Sequence, residues 1–203
     1  MKKLLIGLTL AISTAGFVHA ADPAAGEEKA ATCASCHGDD GISSVGQWPN
    51  LAGQHASYLE KQMLDIRDGR REVPEMVGII DDMSDEDLRD IAAFYAEQSA
   101  NVGQAKEELA VRGRDLYRAG DIAKGIPACT ACHMPNGKGN SPAAFPAVSG
   151  QHTTYTINQL NDFRSGERDN DPSAMMRTIA EKMSDSEIEA VAEYMFGLHG
   201  TNR

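Results

Sequence analysis

Aromatic residues are scarce in this chain: five Tyr, five Phe and one Trp among 203 residues, or 5%. That length suits one large domain or two small ones, and two small cores cannot be filled by so few rings. Something other than side chains must occupy part of the interior. Basic residues are also in deficit, 19 against 30 acidic, for a net charge of −11. A surface of that sign repels a phosphate backbone and excludes nucleic acid as a partner. Beyond the N-terminal segment no hydrophobic run approaches the roughly 20 residues of a spanning helix, which excludes a multi-span membrane protein. No stretch alternates apolar and polar residues as a strand would. What is present, 41% apolar and 24% charged residues, fits a globular protein and excludes disorder.

Lys2 and Lys3 precede a mostly apolar run from Leu4 to Val18, and Val18-His19-Ala20 offers the residue sizes a signal peptidase reads. The pattern predicts a signal peptide over residues 1–20, cleaved after Ala20. At 15 residues, with Gly7, Thr9, Ser13 and Thr14 inside it, the run is short for a retained span. No Cys follows the cleavage point, so a lipid anchor there is excluded. The mature chain would hold 17 basic and 30 acidic residues and be exported, to the periplasm in a Gram-negative cell.

The rest of the chain is a repeat. Cys33-Ala34-Ser35-Cys36-His37 recurs as Cys129-Thr130-Ala131-Cys132-His133, at an offset of 96. Gly53-Gln54-His55 recurs as Gly150-Gln151-His152, at 97. Tyr58, Gln62, Asp65, Arg67 and Gly69 recur at the same offset as Tyr155, Gln159, Asp162, Arg164 and Gly166. Met83-Ser84-Asp85 recurs as Met183-Ser184-Asp185, at 100. The chain therefore carries two copies of one module, residues 21–100 and 108–203, joined by a small, polar linker at 101–107. Ser184 with Glu187 forms a capping-box pattern, and Ser84 with Asp87 a weaker copy. Leu88, Ile91, Ala92 and Tyr95 follow the first, and Ile188, Val191, Ala192 and Met195 the second, each as the apolar stripe of an amphipathic helix. Further helices are expected near Ala24–Thr32, Ser57–Ile66, Glu107–Arg118 and Thr154–Phe163. The fold class is all-α: two small domains in tandem.

Cys-x-x-Cys-His is the attachment pattern of a c-type haem. Two thiols three apart add across the vinyl groups on one porphyrin edge, and the next residue supplies an imidazole to the iron. Cys33, Cys36, Cys129 and Cys132 would thus be consumed, with His37 and His133 as proximal ligands, and no Cys is left for a disulfide. Zinc ribbons place their Cys pairs about 15 to 20 residues apart in one unit, whereas these pairs sit in different copies. A thioredoxin-type pair needs a βαβ context that is missing. Two haem macrocycles also supply the apolar interior that the aromatics do not.

The opposite side of each iron decides between electron transfer and ligand chemistry. Two Met pairs recur in both copies, Met76 with Met176 and Met83 with Met183. Met83 and Met183 stand just before the helix cap, with Leu88 and Ile188 at the N4 position, so they read as hydrophobic staples. Met76 and Met176 have no such task and are the favoured axial ligands. Met175 pairs with Glu75 in the repeat, and Met134 adjoins the proximal His133 on the wrong face. Met63 and Met195 read as core residues. His55 and His152 also recur. They stand either as alternative axial ligands or as helix-start residues bonded locally or to a haem propionate. His19 leaves with the signal peptide, and His199 is unpaired in the repeat. Pro49 and Pro146, 12 and 13 residues after the proximal His, offer carbonyls that would fix the imidazole tautomer. Leu51 and Val148 follow them and are expected to touch the ring.

Taken together, Cys33–His37, Trp48-Pro49-Asn50-Leu51-Ala52-Gly53-Gln54, Glu75-Met76-Val77-Gly78, Pro127–His133, Phe145-Pro146 with Gly150-Gln151-His152, and Met176-Arg177 resemble the dihaem cytochrome c4 family. That family is built from two class I cytochrome c domains, and the resemblance covers nearly all of the mature chain. It implies two covalently bound haem c groups, with His37–Met76 and His133–Met176 as axial pairs. It also implies a periplasmic electron carrier, often loosely associated with the membrane surface, that is not an enzyme and has no small-molecule substrate. The donor would be a quinol:cytochrome c oxidoreductase or a dehydrogenase and the acceptor a terminal oxidase. The family usually has Leu where this chain has Met83 and Met183. The loop Asp39 to Gln47 carries no matching motif. Rival readings are the electron-accepting subunit of a dehydrogenase such as a flavocytochrome, and a dihaem peroxidase, which would need one iron without its Met. A sensor is disfavoured by the lack of an output domain.

Charge is unevenly shared. Residues 21–105 hold 6 basic and 17 acidic side chains, and residues 106–203 hold 11 and 13. Ferric haem carries one more positive charge than ferrous haem, so nearby anions favour the oxidised state. The N-terminal haem is expected to have the lower potential, by a modest margin because salt screens surface charge over roughly 8 Å. The acidic N-terminal face calls for a basic docking surface on a partner.

Overall fold

The computed structural model describes residues 20–198. The export segment read at 1–20 therefore falls outside the described residues apart from Ala20, as do His19 and His199. Nine α-helices run through the described residues. The first copy holds α1 (Pro23–Lys29), α2 (Ala34–His37), α3 (Ala56–Arg67) and α4 (Asp85–Glu97). The second holds α5 (Glu107–Ala119), α6 (Thr130–His133), α7 (Thr153–Ser165), α8 (Met175–Ala180) and α9 (Asp185–Gly197). Among the described residues β-pairing is limited to two isolated bridges, Asp121 with Ile126 and Asn140 with Phe145. No described helix is long and apolar enough to cross a membrane.

Local chemistry sets the helix ends. Asp22 caps α1 by accepting the Ala24 N–H at 3.0 Å, with Pro23 at the position where a missing N–H costs nothing. At α4 the Asp87 carboxylate accepts the Ser84 N–H at 2.9 Å while the Ser84 hydroxyl accepts the Asp87 N–H at 3.2 Å. At α9 the Glu187 carboxylate accepts the Ser184 N–H at 3.0 Å. Both capping patterns in the sequence are thus real caps. Gly166, with φ of 85°, closes α7 in the left-handed conformation.

Each copy folds the same way: its first helix crosses its last, and its middle helix leans on the last. α1 packs on α4 and α5 on α9, while α3 packs on α4 and α7 on α9. A glycine stands at each crossing. A Cβ on Gly26 would lie 2.1 Å from the Asp90 carbonyl oxygen, and one on Gly113 would lie 2.0 Å from that of Ala190. Only glycine lets the backbones approach this closely. Ala30, Leu59, Ile91, Ala92 and Tyr95 form the first core. Leu116, Tyr117, Leu160, Ile188, Val191 and Met195 anchor the second. The first and last helices thereby make a rigid bracket that fixes where each Cys-x-x-Cys-His segment sits.

The two copies meet face to face, with matching residues trading contacts. The guanidinium of Arg71 donates to Gln62 within its own copy at 2.9 Å, and to Gln159 and Tyr155 across the interface at 2.7 and 3.2 Å. Arg168 does the reverse, donating to Gln159 at 2.7 Å and to Gln62 and Tyr58 at 3.0 Å each. Arg168 is buried and also lies 4.5 Å over the Phe163 ring. Burial alone would raise the Tyr58 phenol pKa, but the neighbouring Arg168 and Arg71 charges pull it below its ordinary value. The recurrence of Tyr58, Gln62, Tyr155 and Gln159 is explained by this reciprocal network. The joining segment is pinned as well. The Asn101 side chain donates to the Gly150 carbonyl at 2.9 Å, and Gly103 leaves room for the Phe196 ring.

Candidate haem sites

α2 and α6 are single turns that carry the two motifs. The His37 N–H donates to the Cys33 carbonyl and the His133 N–H to the Cys129 carbonyl, both at 2.9 Å. One such turn brings residues i and i+3 to the same edge and i+4 beside them, so two thiols and an imidazole converge. The turn exits through Gly38 at φ of 80° in the first copy and through Met134 at φ of 65° in the second. The Met134 conformation is strained for a residue with a Cβ. It is held by the Tyr117 hydroxyl, which donates to the Met134 carbonyl at 2.7 Å. The Met134 side chain is exposed.

None of the four cysteines is tied up in a disulfide. Burial raises the Cys33 thiol pKa and pushes that of Cys129 up to about 11. Among the described residues no group of three or more His, Cys, Asp or Glu is placed to hold a metal ion. Burial also lowers the pKa of both proximal imidazoles, leaving them neutral. His37 Nδ1 lies 2.9 Å from the Pro49 carbonyl and His133 Nδ1 lies 2.9 Å from that of Pro146. A carbonyl only accepts, so each Nδ1 carries the proton and donates it. Each Nε2 is then left with a lone pair, the form that binds iron.

The methionines occupy distinct settings. Met76 ends a 3-10 turn, Pro74–Met76, and is half-buried. Met176 is the second residue of α8, entered through Ser173 and Ala174 at φ of 56° and 53°, and it packs against the second core. Met83 packs against the first core, and buried Met183 shares the second with Ile188. Arg67 donates to the Met83 carbonyl at 3.0 Å and Arg164 to the Met183 carbonyl at 3.2 Å. The same arginines pair with Asp85 at 2.8 Å and Asp185 at 2.7 Å. This strap from the middle to the last helix accounts for the recurrence of Arg67 as Arg164 and of Asp85 as Asp185. Met63 packs on the first core, Met195 is buried in the second, and Met175 is exposed.

His55 and His152 stand immediately before α3 and α7. His152 Nε2 donates to the Ser43 carbonyl of the other copy at 2.9 Å, so its outer nitrogen is occupied. The His55 Nε2 is buried and meets no hydrogen-bond partner among the described residues. The loop 39–47, without a motif of its own, is an interface element: Ser43 receives His152, and the Gly46 carbonyl receives the Tyr155 N–H at 3.0 Å. Residues that escaped the sequence reading are Arg71 and Arg168, 97 apart, and Gly26 and Gly113. The arginine recurrence was available as a signal.

The donor set suits a c-type haem in each copy: two free thiols on one edge, a neutral imidazole with its Nε2 free, and a half-buried thioether. Half-buried apolar side chains, Leu51 and Met63 in one copy and Val148 and Ile157 in the other, border the cores as a large apolar group would require.

Comparison with known proteins agrees. The family model "Cytochrome c" matches residues 110–198, and "Cytochrome C oxidase, cbb3-type, subunit III" matches residues 21–94. The chain is 50% identical to cytochrome c4 of Pseudomonas aeruginosa over 201 residues, covering 98% of this chain and all of that one. The chain belongs to the cytochrome c4 family. The crystal structure of reduced recombinant cytochrome c4 from Pseudomonas stutzeri superposes with a TM-score of 0.87 at 47% identity, covering 89% of this chain and all of that one. A "thiosulfate dehydrogenase electron acceptor" of Stutzerimonas stutzeri is 42% identical, covering 81% of this chain and 78% of that protein. As a cytochrome c4 the chain is a dihaem electron carrier, with two tandem cytochrome c domains, one c-type haem on each Cys pair, and redox proteins as partners.

Proposed function

We propose that the chain is an exported, non-enzymatic shuttle in which His37 with Met76, and His133 with Met176, ligate the two irons. Residues 1–20 serve as the export signal. Residues 21–100 and 108–203 are the two carrier domains, with 101–107 joining them. Each haem, when bound, supplies a one-electron couple at its iron. The chain does the rest. Pro49 and Pro146 hold the imidazoles in the iron-binding tautomer. The α1/α4 and α5/α9 brackets would fix each Cys-x-x-Cys-His turn beside its haem, and the methionine thioethers would favour the reduced state. The observation that carries the reading is the pair of matching 2.9 Å bonds from imidazole Nδ1 to proline carbonyl.

The periplasm is the compartment. The donor is a quinol:cytochrome c oxidoreductase or a dehydrogenase and the acceptor a terminal oxidase, met at the membrane surface by peripheral association. Replacing Met76 or Met176 by Ala tests the ligand set: each variant should lose the red sulfur-to-iron band of one haem and lower that haem's potential. A variant that keeps both bands refutes the assignment. The similarity to a thiosulfate dehydrogenase electron acceptor favours a second reading, a carrier dedicated to one dehydrogenase. Stoichiometric co-purification with that enzyme would establish it over the free shuttle.

A further inference from the structure

Gln54 and Gln151 were visible as a recurrence, and the structure gives them a task. The Gln151 carboxamide crosses the interface and grips one residue of the other domain at both ends. Its Oε1 accepts the Asn50 N–H at 2.9 Å and its Nε2 donates to the Asn50 carbonyl at 2.9 Å. Gln54 does the same in reverse, accepting the Ala147 N–H at 2.9 Å and donating to the Ala147 carbonyl at 2.8 Å.

Asn50 and Ala147 directly follow the two prolines. The Asn50 N–H therefore belongs to the same peptide unit as the Pro49 carbonyl that receives His37 Nδ1–H. The Ala147 N–H shares its peptide unit with the Pro146 carbonyl that receives His133 Nδ1–H. Two unbroken chains of hydrogen bonds result. One runs from the His37 imidazole through the Pro49–Asn50 peptide to Gln151. The other runs from the His133 imidazole through the Pro146–Ala147 peptide to Gln54. Each begins in one domain and ends in the other.

A peptide whose N–H is already donating is a stronger acceptor at its carbonyl, because hydrogen bonds in series polarise one another. A stronger acceptor at Nδ1 makes the imidazole a more basic ligand, and a more basic ligand favours ferric iron. We propose that Gln54 and Gln151 are positioning residues that tune the proximal histidine of the opposite domain, so that each haem's potential is set in part from across the interface. The proposal rests on His37 and His133 being the axial ligands.

The two chains are not equally supported. The Asn50 side chain also donates to the Gly150 carbonyl at 3.0 Å and accepts the Ser43 N–H at 3.0 Å. These bonds hold the Pro49–Asn50 peptide in place without Gln151. Ala147 has no side chain able to do this, so the Pro146–Ala147 peptide depends more on Gln54.

The test is Gln54→Met and Gln151→Met in the full-length holoprotein. It reads both potentials in a spectroelectrochemical titration, and the Nδ1–H proton of each proximal His by NMR in the reduced state. In Gln54→Met the equilibrium constant for reducing the C-terminal haem should rise about threefold, about 28 mV at 59 mV per tenfold. The His133 Nδ1–H resonance should move and exchange faster with solvent, and the N-terminal haem should stay where it was. Gln151→Met should act on the N-terminal haem and His37 instead, with the smaller shift. Gln54→Glu keeps an acceptor for the Ala147 N–H and should bring the C-terminal potential back to or below its original value. If the shift appears on the haem of the mutated domain, on both haems equally, or on neither while the melting temperature falls, the glutamines only join the domains and the proposal fails. Failure of the ligand assignment would look different, as an iron without histidine ligation already in the unmutated protein.

Discussion

Replacing Arg168 by Met tests the interface most severely, because the change keeps the aliphatic bulk and removes every donor. Four bonds disappear: to Asn170 at 3.1 Å, Gln159 at 2.7 Å, and Tyr58 and Gln62 at 3.0 Å. The stacking on Phe163 is lost with them. Hydrogen bonds to charged groups are worth about 1.5–3 kcal/mol each, so a simple count would predict a catastrophic loss. Two facts reduce it. Gln159 Oε1 still receives Arg71, and Gln62 Oε1 still receives Arg71 and Asn170, so those acceptors stay satisfied. Among the described residues Arg168 also makes no carboxylate ion pair within 4.0 Å, and removing a buried charge of that kind returns part of its desolvation cost. The net destabilisation should be about 2–3 kcal/mol, or about 5–10 °C in melting temperature for a chain of this size. The double variant with Arg71→Met should cost more than the two single changes added, since Gln62 and Gln159 then lose their shared donors. Thermal unfolding of the holoproteins followed by circular dichroism measures all three. An unchanged or raised melting temperature for Arg168→Met, or strict additivity with Arg71→Met, would refute the network.

Gly113→Ala sets two effects against each other. Alanine favours a helix over glycine by about 1 kcal/mol, but its Cβ would overlap the Ala190 carbonyl, and forcing the backbones apart costs about 1–3 kcal/mol or more. The expected result is net destabilisation of the C-terminal domain by about 2 kcal/mol, and a stabilised variant would show that α5 and α9 cross less closely. Glu187 is buried, which would raise its pKa, but Lys124 and the Ser184 cap hold it down at about 2. A depressed carboxylate pKa stabilises the fold above the unfolded value of about 4.5 and loses that contribution as pH falls toward about 2. Glu187→Gln should therefore lower the melting temperature at pH 7 and make little difference at pH 2, as calorimetry at the two pH values would reveal. The N-terminal haem should be the lower in potential. Lys29, Lys61, Arg67, Arg70 and Arg89 are already paired with local carboxylates, and among the described residues Glu72, Glu75, Asp81 and Asp82 stand outside these salt bridges. Raising ionic strength should narrow the gap, and assigned potentials in the opposite order would overturn the charge argument.

Much of this was readable in the sequence because local rules carried it. The two Cys-x-x-Cys-His motifs, the caps at Ser84 and Ser184 and the apolar stripes of α4 and α9 each depend on residues within one or two turns. Helices α3, α5 and α7 begin and end within two residues of where periodicity places them. The unread parts depend on contacts remote in sequence. Gly26 and Gly113 are 87 apart while the motif cysteines are 96 apart, because the second copy inserts the turn around residues 120–126 ahead of its motif. That insertion hid the match. The start of α8 lies behind Ser173 and Ala174, two non-glycine residues in the left-handed region, which no propensity would choose. The recurrences of Gln54 with Gln151 and Tyr58 with Tyr155 were plain, but a repeat inside one chain does not announce that its copies face each other. Only the folded pair shows that these residues serve the opposite domain.

An anaerobic redox titration of the purified holoprotein, followed through its visible spectrum, bears most directly on the central claim. Two one-electron waves at positive potential, each haem showing the full red sulfur-to-iron band, are the predicted result and match two His/Met-ligated carriers. A single low-potential or high-spin haem would mean that Met76 or Met176 does not reach its iron, and would contradict the account.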